Sequence, residues 1–137
     1  MRLFVRLLAA YNMLVALAVT VKSVFDVPQP DWELLSWLMA PAVVISLAAA
    51  YVFKRRFDAE GEGAGDTVRY LDVNIHFYAA AVLFVGYGYQ WSAYLNDLAW
   101  GSSGLSNTGS LWIYVDTLVI MVAAVMGVRM WNAARKM

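Results

Sequence analysis

Four uninterrupted apolar stretches, residues 3–21, 34–53, 73–95 and 111–131, limit what this chain can fold into. A helix rising about 1.5 Å per residue crosses a hydrocarbon layer of about 30 Å with roughly 20 residues, which is the length of each stretch. Transmembrane β-strands would alternate polar and apolar residues over about ten positions. These runs do not alternate, so the pattern specifies an all-α, polytopic membrane protein, a four-helix transmembrane bundle in one domain of 137 residues. With 62% hydrophobic and 15% charged residues, the chain lies far from a soluble domain, where about half and a quarter are usual. Four spans leave no room for a separate catalytic domain. The absence of cysteine excludes disulfides, thiolate metal sites, iron–sulfur clusters and cysteine nucleophiles.

Positive charge sets the expected direction. Arg2, Arg6, Lys54, Arg55, Arg56, Arg69, Arg129, Arg135 and Lys136 fall on one side of the spans, against Lys22 alone on the other. This bias predicts both termini in the cytoplasm of a bacterial inner (plasma) membrane. Trp32, Trp37, Trp91, Trp100 and Trp112 then ring the outer interface and Trp131 the inner one, where an amphipathic indole is favoured. The first stretch is longer than the apolar core of a usual signal peptide and reads as an uncleaved helix.

The connections differ in character. Asp31 is the expected N-cap of the second helix, with Pro28 and Pro30 holding the preceding segment extended. Residues 54–72 read as a charged cytoplasmic loop, Gly-rich at its centre, with Asp66 capping a short lead-in through Val68, Leu71 and Ile75. The outer loop 96–110 is rich in Gly, Ser and Asn but carries Leu98, Trp100 and Leu105, as expected of a segment lying on a bilayer or a partner.

Ionisable groups inside a span are costly, so each is a candidate site. Asp116 lies five residues from the outer end of the fourth stretch, roughly 8 Å deep. Gln90, Tyr87 and Trp91 fall at similar depth on the third. Asp116 with Gln90 and a tyrosine hydroxyl makes a candidate cluster for a proton, cation or polar headgroup. The structural alternative is a hydrogen-bonded aspartate that fixes helix register, or a pair with Lys22. His76, the one histidine, has Asp72 a turn before it, and Met126 and Met130 reach the same depth. These residues allow a His/Met axial pair for haem, or a chlorin on His76; against that, a hydrogen-bonded interfacial histidine is the simpler reading. Phe84, Tyr87, Trp91 and Tyr94 share a helical face able to stack a quinone, carotenoid or lipid, or to pack on a neighbouring helix. Val85-Gly86-Tyr87-Gly88 resembles a potassium-channel filter only in letters, because it sits inside a continuous apolar run and not in a re-entrant loop.

Association signals are more numerous than catalytic ones. Ala42, Ser46 and Ala50, and Ala123 with Gly127, are small residues at four-residue spacing that permit close helix packing and offer surface to partners. Asn12 can hydrogen-bond to a neighbouring helix. Pro41 is expected to kink the second span and free the carbonyl of Trp37. The sequence carries no HExxH, histidine box or P-loop. Its basic residues already have a topological role, so nucleic acid is not an expected partner.

The first functional reading is a non-catalytic accessory or structural subunit of a larger integral-membrane complex, energy-transducing or redox. Its partners would be the lipid bilayer and other integral-membrane subunits or further copies of itself. One alternative is a membrane cofactor-binding protein that holds a tetrapyrrole, quinone or carotenoid with His76, Tyr87 and Trp91. The other is a small ion or solute carrier using Asp116.

Overall fold

The computed structural model describes residues 1–25, 27–28, 30–60, 67–100 and 108–136. Its regular elements are four helices: α1 (Arg2–Phe25), α2 (Trp32–Ala59), α3 (Thr67–Trp100) and α4 (Thr108–Lys136). Each is long and apolar enough to cross a membrane. All four outrun the apolar stretches that announced them. Residues 54–59 finish α2 and 67–72 open α3, so most of the expected loop 54–72 is helix. Backbone i→i−4 bonding is indifferent to side-chain polarity, and Lys, Arg and Glu are good helix formers. The Lys54–Asp58 pair, 3.6 Å apart at i,i+4, belongs to this polar extension. The expected outer loop 96–110 narrows in the same way, since α3 runs to Trp100 and α4 starts at Thr108. The Gly-rich segment, the Asp66 cap and the side chains of Leu98, Trp100 and Leu105 lie outside the described residues. Asp31 does occupy the N-cap of α2 with extended backbone, but its side chain makes no capping hydrogen bond.

Helices that follow one another in the chain pack antiparallel. Asn12 of α1 meets Ser46 of α2, Trp37 of α2 meets Trp91 of α3, and Tyr87 of α3 meets Trp112 of α4. The most extensive contact joins α1 to α4, the next joins α2 to α3, and α2 and α4 meet across the bundle. Leu35, Met39, Leu83, Val119 and Met126 form the centre of the core.

Small residues close the seams. Ala42, Ser46, Ala50 and Ala123 are buried, and a Cβ added at Gly127 would lie 2.7 Å from Met13 Cγ and 3.0 Å from the Ala9 carbonyl oxygen. These faces are therefore used within the chain, which removes them as the surface expected to meet a partner. Asn12 fulfils its expected role by donating to Ser46 Oγ at 3.0 Å.

Pro41 lies inside an otherwise continuous α2. It cannot donate to the carbonyl of Trp37, and the carbonyls on either side receive tyrosine hydroxyls. Tyr11 of α1 donates to Leu38 at 2.7 Å, and Tyr87 of α3 donates to Ser36. A proline-disturbed turn is thus tied to both neighbouring helices.

The two ends of the bundle differ in charge. Both termini and nine of the ten basic residues gather at one end, called here the basic end. The far end carries Lys22, Trp32, Glu33, Trp91 and Trp112, with Asp116 just inside.

Candidate functional site

Aromatic residues build the far end. Tyr87 and Trp91, one turn apart on α3, stack with ring centroids 6.0 Å apart at 11°. Trp37 of α2 meets Trp91 edge-on at 4.7 Å, and Trp112 of α4 meets Tyr87 edge-on at 6.3 Å. Tyr94 extends the row 5.5 Å from Trp91. Of the expected stripe, Tyr87, Trp91 and Tyr94 come together, whereas Phe84 turns outward and is exposed. Much of the stripe's stacking surface is taken by its own rings.

A cleft of about 390 Å³ opens beside this row. Trp32, Trp91, Trp112 and Tyr94 wall it, and Glu33 and Asp116 supply two carboxylates, with no basic residue among the described lining residues. One oxygen of Asp116, Oδ1, is buried and has no hydrogen-bond partner. Such an atom forfeits its hydration without replacement, which the fold tolerates only at a cost. No register-fixing hydrogen bond reaches this oxygen among the described residues. Lys22 Nζ donates to the Val27 carbonyl and stands 5.8 Å from the Trp32 ring centroid. The expected cluster is also redrawn, because Tyr87 spends its hydroxyl on the Ser36 carbonyl. Gln90 is buried in the bundle and is not part of the cleft lining. Trp32, Glu33 and Trp112, read from sequence only as interface or helix-start residues, are the additional site residues. Their signal was an acid adjacent to tryptophan at the start of a span, mirrored by Trp112 one turn before Asp116.

At the basic end several polar groups pair with one another. Arg129 of α4 donates through Nη2 to both carboxylate oxygens of Asp72 on α3. His76 Nδ1 lies 2.6 Å from the Asp72 carbonyl oxygen and 3.2 Å from Oδ1. Two acceptors around one nitrogen assign the proton to Nδ1, so the imidazole is oriented as the i,i+4 spacing predicts. Lys54 donates to Asn74 Oδ1 at 2.8 Å, and Arg69 to Glu60 at 2.6 Å. Met126 is fully buried in the core and His76 is engaged by Asp72. No group of three or more histidine or acidic side chains placed to hold a metal ion occurs among the described residues.

Comparison with protein families, with curated proteins and with solved structures finds no match for this chain.

Proposed function

We propose that the protein is an integral protein of a bacterial inner membrane, with both termini cytoplasmic, that binds a cationic solute in the far-end cleft with Asp116 as counter-ion. This is the chemistry of a small carrier. The nine-to-one distribution of basic residues supports the orientation. The single observation carrying the function is the buried Asp116 oxygen that lacks a hydrogen-bond partner beside a tryptophan-walled cleft. A carboxylate supplies the charge, and the π faces of the tryptophans that line the cleft attract a weakly hydrated cation. Indole rings cannot replace the water around a small metal ion, so the chemistry favours an organic ammonium.

Tryptophan fluorescence of the full chain in lipid nanodiscs, titrated with tetraethylammonium, tests this reading. Saturable quenching is expected, and Asp116→Asn is expected to weaken it by about 2 kcal/mol, roughly thirtyfold, as for loss of one partner from a desolvated charge pair. Absence of saturation, or an unchanged affinity in Asp116→Asn, rejects the site. Reporter fusions that put either terminus outside would reject the orientation.

A second reading, the accessory subunit of a larger integral-membrane complex, draws support from α3. Leu71, Ile75, Tyr78, Val82, Val85 and Tyr89 are all exposed and recur at alternating intervals of four and three. That is the spacing of a helix face that packs along a partner helix. Mass analysis after gentle extraction is expected to find a companion chain under this reading; a lone chain in lipid and detergent counts against it.

A further inference from the structure

Two further cavities lie at the basic end and share lining residues. Between α1, α2 and α4 runs an apolar groove of about 310 Å³, lined by residues that include Leu8, Ala48, Val52 and Met130. Its upper rim, formed by Phe53, Arg56 and Ala133, is also the rim of a polar cleft of about 370 Å³. That cleft adds Arg69, Arg129 and Lys136, together with Asn132 and the acids Glu60 and Asp72. The acids are already spent on Arg69 and Arg129. Arg56 and Lys136 form no ion pair among the described residues, so the cleft keeps two cationic groups for an outside anion.

We propose that this composite cavity holds an anionic phospholipid, with an acyl chain in the groove and the headgroup phosphate against Arg56 and Lys136. The two halves ask for different chemistry in one molecule. A free phosphate leaves the groove empty, and a zwitterionic lipid brings an ammonium group toward a cationic cleft. Guanidinium and ammonium groups at a membrane boundary each favour an acidic headgroup electrostatically, and Asn132 offers a neutral amide donor to the same phosphate. Ala48 and Ala133 keep the groove concave, because a larger side chain at either position would occupy the space given to the chain. The inference shares with the proposed function only the premise that the helices lie in a bilayer, and it is independent of the far-end cleft.

The test is native mass spectrometry of the full chain, released from nanodiscs holding equal phosphatidylglycerol and phosphatidylcholine of the same chain length. Preferential retention of phosphatidylglycerol is expected. The double variant Arg56→Gln, Lys136→Gln should lower that preference by roughly tenfold or more, since two interfacial charges are lost. Arg55→Gln, which changes a charge next to the cleft but not in its lining, should leave it intact. Ala48→Leu should reduce retention of phosphatidylglycerol while far-ultraviolet circular dichroism remains that of the parent. Equal retention of the two lipids, or an unchanged preference in the double variant, overturns the proposal. If inorganic phosphate displaces the lipid at low concentration while Ala48→Leu has no effect, the cleft is an anion site only, and the acyl-chain assignment fails. Tetraethylammonium titration of the same samples separates this outcome from failure of the far-end site.

Discussion

Asp72, at the basic end, has both carboxylate oxygens bonded by Arg129 and a histidine ring one turn away, whereas Asp116, at the far end, keeps one buried oxygen with no partner. Both are aspartates near the ends of long apolar helices. The difference is what each neighbouring helix presents: α4 offers Asp72 a guanidinium, and α2 and α3 offer Asp116 tryptophan and a second carboxylate. An acid satisfied within the fold ties helices together and is unavailable to a ligand. An acid left open contributes little to the fold and retains its capacity for an external cation.

Three substitutions sharpen that contrast. The largest effect on stability is expected from Arg129→Leu, which strips Asp72 of its principal partner. Asp72 is 43% exposed and water compensates in part, so a loss of roughly 1.5 kcal/mol is expected, well below the cost of orphaning a fully buried charge. Unfolding by detergent titration measures it, and no change would mean that water already serves Asp72 equally well. Next comes Tyr87→Phe, which removes the hydroxyl donated to the Ser36 carbonyl. It should cost about 1 kcal/mol in the same titration while leaving tetraethylammonium affinity unaltered. A loss of affinity instead would return the Tyr87 hydroxyl to the Asp116 site. The smallest effect on stability belongs to Asp116→Leu, expected to be neutral within about 0.5 kcal/mol or slightly stabilising, because it removes an unsatisfied buried oxygen. A loss above about 1 kcal/mol would show that Asp116 is a packing residue and erase the contrast with Asp72.

The sequence made the helices legible because each carries an apolar run long enough to span a bilayer, and hydropathy reads that directly. It did not reveal their ends, since hydropathy falls where charged residues begin while the hydrogen-bond ladder continues through Lys54 and Asp58. Local geometry was also legible. The Asp72–His76 pair follows from i,i+4 spacing, and Asn12 was marked as a cross-helix donor by its polarity alone. Contacts set by helix rotation were not. Arg129 lies 57 positions from Asp72, and nothing local distinguishes it from the other basic residues that flank the spans. Tyr87 was assigned to Asp116 by depth, but its hydroxyl turns toward α2, where Pro41 interrupts the helical hydrogen bonding. Depth orders residues along the bundle axis and is silent about azimuth.

The unequal helix contacts divide the bundle into two halves, α1 with α4 and α2 with α3. The far-end cleft straddles the boundary. Asp116 and Trp112 ride on one half, and Trp32, Glu33, Trp91 and Tyr94 ride on the other. Rocking one half against the other would alter the width of the mouth while Gly127 keeps its seat against Ala9 and Met13. The two carboxylates of the cleft, Asp116 and Glu33, therefore belong to different halves, and its width is set by how the halves meet.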